Sequence, residues 1–181
     1  MKINNILKLA VAGVVAIQPI LTVEKSLAQS IEPPASFQCL TQSGYYVTLA
    51  VRKNGVLSDP IIVWKTEEFS EAGYTPERRC SEVTGRLNKL LSQNNGTLKG
   101  LYLTVGPVNG QQVLCAVNNT RSGCNTNNVL FTLSERNRQN PTKILESLSN
   151  VSAGSVSGTL VQESGGQPYV NLEKLVDGLF K

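Results

Sequence analysis

Four cysteines, three closely spaced glutamates and an arginine pair at a predicted helix start are the side chains of this 181-residue chain whose types and spacing suit chemistry. Histidine, the commonest general base and metal ligand, does not occur. A serine or cysteine nucleophile would need a lysine or another unusual base, and no Gly-x-Ser-x-Gly turn carries one. Glu67, Glu68 and Glu71 supply the paired carboxylates that glycoside hydrolysis uses, with Arg79 nearby in sequence. Adjacent glutamates in a loop are ordinarily just solvated, so a small carboxylate-dependent hydrolase is the alternative expectation and not the leading one. Gly73-Tyr74-Thr75-Pro76-Glu77-Arg78-Arg79-Cys80 gathers an aromatic ring and two guanidinium groups at a helix start, where free N–H groups and the dipole favour an anion. The plainer reading points Arg78 to solvent and lets Arg79, at the edge of the apolar stripe, satisfy a neighbouring carboxylate or carbonyl. Trp64, Tyr74, Arg78 and Arg79 are the binding candidates; no residue is assigned to catalysis, to a cofactor or to a metal.

The cysteines are Cys39, Cys80, Cys115 and Cys124. No Cys-x-x-Cys is present to activate a thiol, and neither pair has the two- to four-residue spacing of a zinc knuckle, so structural disulfides are the favoured reading. Four cysteines allow three connectivities, and spacing alone does not choose among them. Cys115 falls late in a predicted strand and Cys124 in the polar loop after it. A bridge between them would staple that loop and leave Cys39, on the first strand, for Cys80.

The elements that position these residues follow from periodicity. Ser36–Leu40 and Tyr45–Val51 read as strands around a Ser43-Gly44 turn, Asn54-Gly55 marks the next turn, and Ile61–Trp64 reads as a third strand after Asp59-Pro60, with Trp64 at or in the core. A helix runs from about Pro76 to Asn94, capped by Thr75, with proline at its first position and Asn94-Asn95-Gly96 at its end. Its apolar set, Cys80, Val83, Leu87, Leu90 and Leu91, covers about a third of the circumference, so the stripe that buries the leucines also turns Cys80 inward. Leu101–Val105 and Gln111–Val117 flank Asn109-Gly110, the strongest short-range hairpin signal. A polar loop over 118–128, a strand at Val129–Leu133, and a short helix after Asn140-Pro141 carrying Ile144, Leu145 and Leu148 come next. Ser152–Gly166 reads either as a Ser/Gly linker or, with Gly158–Val161 and Gln167–Val170, as a small hairpin, and Asn171 caps a last helix with Leu172, Leu175, Val176 and Leu179.

Met1–Ala28 reads as a signal peptide: basic Lys2 and Lys8, an apolar run from Leu9 to Leu21, and a small-x-small end at Ser26-Leu27-Ala28. The apolar run before Pro19 is short for a membrane span of ~20 residues, which makes a retained anchor the lesser expectation. Cleavage there would remove three of the 17 basic and one of the 13 acidic residues, leaving 14 and 12 and a net charge of +2 in place of +4. So near a balance, with the signs interspersed, the chain has no stripe to neutralise successive phosphates, and nucleic acid is excluded as a partner class. Residues 29–35 read as a flexible mature N-terminus, and residues 36–181 as a single α+β domain with one core.

The central block, Trp64, Gly73-Tyr74-Thr75-Pro76-x-x-Arg79-Cys80-x-x-Val83, Gly106-x-Val108-Asn109-Gly110-Gln111-x-Val113-x-Cys115, Gly123 and Leu130-Phe131-Thr132-Leu133, resembles the circadian oscillating protein family of cyanobacteria. Ser157-Gly158-x-Leu160, Glu163-Ser164-Gly165 and Tyr169-Val170-Asn171-Leu172 extend the resemblance to the end and favour the hairpin over the linker. What the resemblance implies is a small exported protein without a reaction or catalytic set to carry over. The expectation is thus an α+β domain, mainly antiparallel sheet with one main amphipathic helix and two short C-terminal helices, stapled by two disulfides that pair Cys39 with Cys80 and Cys115 with Cys124. Its expected role is that of a non-enzymatic binding module in the periplasm or at a membrane surface, taking a protein or small ligand without a cofactor and leaving room for peripheral membrane association.

Overall fold

In the computed structural model, residues 32–152 and 166–180 are described. The first strands, β1 (Ser36–Gln42), β2 (Tyr45–Val51) and β3 (Ile62–Trp64), form one antiparallel sheet in that order. The remaining strands, β4 (Tyr102–Val108), β5 (Gln111–Val117), β6 (Val129–Thr132) and β7 (Val170–Asn171), form a second in the order β6-β5-β4-β7, also antiparallel. The α+β class stands, but the strands divide between two sheets. Two tight turns set the registers: Ser43 and Gly44 at φ 49° and 80°, and Asn109 and Gly110 at φ 49° and 76°, the left-handed pair that a hairpin with right-handed strand twist requires. Pro107 is tolerated within β4 because β7 pairs only with Tyr102 and Leu103 and leaves the far end of that edge uncovered.

Helix α1 (Pro76–Gln93) begins with Thr75 accepting from the Arg78 amide and buries Cys80, Val83, Thr84, Leu87 and Leu91. Leu90, expected in that stripe, is only partly buried at its edge. The helix lies against β1, β2, β3 and β6, and so spans the two sheets. Three further helices follow: α2 (Glu135–Arg138), α3 (Thr142–Ser152) and α4 (Leu172–Asp177). The four-residue α2 has no buried residue and no apolar period to announce it. α3 and α4 pack on each other and on β4 and β7.

One apolar cluster joins Phe37, Trp64, Leu87, Leu114, Leu145 and Leu175 across both sheets and the helices, and a second, smaller one of Val47, Leu49 and Val51 occupies the opposite face of β2. The single core expected therefore has a satellite, because β2 is apolar on both of its faces. The structure joins Cys39 to Cys80 and Cys115 to Cys124, with Cα–Cα distances of 5.6 Å in each, and no cysteine among the described residues is free. The first bridge ties β1 to α1, and Asn88 reinforces it by accepting from the Phe37 amide at 2.7 Å and donating to the Phe37 carbonyl at 2.9 Å. The second pins the polar loop to β5, and Tyr169 adds a hydroxyl bond to the Ser122 carbonyl. Two disulfides point to an oxidising compartment outside the cytoplasm. Among the described residues no helix is long and apolar enough to cross a membrane. The predicted signal peptide, most of the small hairpin over 158–170 and the linker reading lie outside the described residues; Val170–Asn171, which are described, pair with β4.

Candidate functional site

Trp64 and Arg79 come together; Tyr74 and Arg78 do not join them. Trp64 is 5% exposed and inside the core, its Nε1 donating at 3.0 Å to Thr48 Oγ1, a hydroxyl that also lies 3.3 Å from Thr84 Oγ1 and 3.7 Å from Cys80 Sγ. That network fixes the indole because a buried N–H without an acceptor is costly. Phe131 of β6 meets the ring edge-on, with centroids 5.2 Å apart. Strands β3 and β6, terminal in their separate sheets, are thus in contact through an aromatic pair.

Beside that pair lies a cavity of about 300 Å³, bounded by β3, β6 and α3 and lined chiefly by apolar side chains, among them Ile62, Trp64, Phe131, Ile144 and Leu148. The size falls at the lower end of small-ligand sites, ~300–1,000 Å³. Arg79 also lines it. The guanidinium lies 5.3 Å from the Trp64 ring centroid and 5.5 Å from that of Phe69, and its Nη2 donates to the Thr66 carbonyl. Its Nε is shut off from solvent and has no hydrogen-bond partner. Desolvation pulls the Arg79 pKa below the ordinary arginine value, against the opposing influence of Glu67 and Glu68. Of the two alternatives expected for Arg79, a neighbouring carboxylate or carbonyl, the carbonyl is the one it meets.

Arg78 points outward. It pairs with Glu82 at 2.8 Å, donates to the Gly73 carbonyl at 3.2 Å and lies 4.5 Å over the Tyr74 ring, which is itself exposed. The hydrogen bond to Glu82 raises its pKa. These two candidates brace each other on the surface. The three glutamates have separate partners: Glu67 accepts from Ser70 Oγ, Glu68 accepts from the Glu135 amide at 2.7 Å and pairs with Arg138 at 3.6 Å, and Glu71 is exposed. None of the three lines the cavity. A larger hollow of about 1040 Å³ lies along α1 and the 126–132 segment, with Arg79 on its border too. Glu82, Arg86 and Lys89 make it more polar, and Arg86 there donates to the Leu130 carbonyl at 2.6 Å. Among the described residues no group of three or more His, Cys, Asp or Glu is placed to hold a metal.

Phe69, Phe131 and the α3 side chains are the site residues that the sequence reading did not single out. Phe131 carried a signal of a kind, an aromatic in a four-residue strand, but its meeting with Trp64 spans 67 positions and leaves no local trace. Among known proteins, the family model described as circadian oscillating protein COP23 matches residues 36–177. No curated protein and no solved structure matches the chain.

Proposed function

The chain belongs to the circadian oscillating protein family, and from that premise we propose that it is an exported, non-enzymatic binding module that takes up a small apolar ligand in the cavity between β3, β6 and α3. Export is supported by the Met1–Ala28 pattern together with two disulfides, and the cell envelope, periplasm or membrane surface, is the compartment that both fit. The single observation that carries the binding role is the cavity itself: about 300 Å³, apolar in its lining, yet bordered by a guanidinium with an unpartnered Nε. The recess is half open, so a small molecule can enter it, and a concave, largely apolar lining with one polar group on its border is the usual make-up of a small-ligand site. The three glutamates are exposed and none lines the cavity, although Glu67 and Glu68 lie close enough to Arg79 to act on it, so the cavity itself offers a hydrolase no pair of carboxylates.

Native mass spectrometry of the oxidised protein recovered from the envelope fraction tests the reading. A bound small molecule, released on unfolding, is the expected result. A bare polypeptide mass, together with no rise in melting temperature when 1-octanol is added, would remove the basis for the proposal.

A further inference from the structure

Resting on the cavity reading above, we infer that the ligand is a monocarboxylate with an apolar body, its carboxylate held by Arg79. The apolar body follows from the lining, in which Ile62, Trp64, Phe131, Ile144 and Leu148 face a half-open recess. The charge follows from the arginines around the site. Arg78 and Arg86 share Glu82, and Arg138 is paired with Glu68. Arg79 has no carboxylate within ion-pairing distance among the described residues, although Glu67 and Glu68 are close enough to influence it. Both of those carboxylates are engaged elsewhere, one by the Ser70 hydroxyl and the other by the Glu135 amide and Arg138.

The guanidinium supplies the donor. Arg79 Nε is sealed from solvent and Nη2 is given to the Thr66 carbonyl, which leaves Nη1 to meet an anionic oxygen. The rings of Trp64 and Phe69 hold the guanidinium plane, so little rotamer freedom is left to lose on binding. Lys65, the other cation lining the cavity, is exposed and has its Nζ 4.9 Å over the Tyr45 ring. Arg52 also has an unpartnered Nε, but it stacks 4.1 Å over Phe180 and lines neither hollow, which makes it the control.

The experiment compares octanoate with 1-octanol at neutral pH on the full oxidised protein, by titration calorimetry and by the emission of Trp64, the only tryptophan of the chain and a wall of the cavity. Octanoate is expected to bind at least tenfold more tightly than octanol. Arg79→Gln is expected to erase that preference while keeping octanol binding, and Arg52→Gln to leave it intact. Should Arg79→Gln fail to fold, Arg79→Lys replaces it; the charge stays but the guanidinium N–H is lost, and octanoate is expected to bind severalfold more weakly. Equal affinity for the two ligands, or a preference that survives the Arg79 substitution, overturns the carboxylate inference and leaves the cavity reading standing. Binding of neither ligand overturns both.

Discussion

Removing the two disulfides one at a time gives a quantitative test of what each contributes. In the chain-entropy treatment the loss scales with the logarithm of the closed loop, and the sequence separations are 41 for Cys39–Cys80 and 9 for Cys115–Cys124. Those loops correspond to about 3.9 and about 2.7 kcal/mol at 25 °C. Cys80 and Cys115 are both fully buried, so a Cys→Ala change loses similar packing in either bridge and the difference of about 1.2 kcal/mol rests with the loops. At about 3 °C per kcal/mol for a domain of this size, Cys39→Ala/Cys80→Ala is expected to lower the melting temperature by about 12 °C and Cys115→Ala/Cys124→Ala by about 8 °C. Differential scanning calorimetry of both variants without reductant at one pH provides the measurement. A reversed order, or two melting temperatures within a degree of each other, would refute the reasoning, because the long loop would then be held by something the bridge merely accompanies, such as the two Asn88–Phe37 bonds.

Two further outcomes follow from the geometry. Asn88→Ala removes both bonds to the Phe37 main chain, and because Phe37 is 2% exposed its backbone groups lose partners that water replaces poorly; a loss of about 1–3 kcal/mol in urea unfolding at constant m is expected, and a loss below about 0.5 would show that the strand needs no such tie. The Asp177 carboxyl is raised above its ordinary value by desolvation, then by Glu173, with Arg52 opposing, so the folded state holds that proton more tightly than the unfolded chain does. Its contribution is full below the ordinary carboxylate range and is lost as pH rises through the elevated folded value; Asp177→Asn is therefore expected to raise the melting temperature at pH 7 and not at pH 3, and a rise of the same size at both would contradict the assignment.

Much of the framework was legible because its causes are local. Thr75-Pro76 starts α1, the spacing of Cys80, Val83, Leu87 and Leu91 defines its buried face, and Asn109-Gly110 closes the β4–β5 hairpin. The split into two sheets was not legible, since nothing in β3 or β6 states that the two strands will stay unpaired with each other. β7 was legible only in part: a strand was expected over Gln167–Val170 as one arm of a local hairpin, whereas Gln167–Tyr169 form no strand and Val170–Asn171 pair with β4, where Tyr102 lies 69 positions from Asn171. Within the site, Arg79 and Trp64 stood out by type, but Tyr74 and Arg78, equally conspicuous in the string, serve each other on the surface. A cavity is a property of what several elements fail to fill, and Ile62, Phe131 and Ile144 each look like ordinary core residues when read alone.

That failure to fill has an energetic side. The recess is half open, so the apolar side chains lining it keep part of their area in water, at roughly 25 cal/mol for each Å² that burial would have recovered. A chain free to repack would close such a gap by hydrogen-bonding β3 to β6 into one continuous sheet. Here the bracing of each strand opposes that collapse. Trp64 is fastened on one side to Thr48, whose hydroxyl also meets Thr84 and Cys80, and on the other Arg86 donates to the Leu130 carbonyl. α1, anchored to β1 by the Cys39–Cys80 bridge, spans both sheets. The same side chains that make the framework rigid thus hold the aromatic wall and the arginine in place before a ligand arrives, so binding loses little conformational freedom and the stapling serves the site as well as the fold.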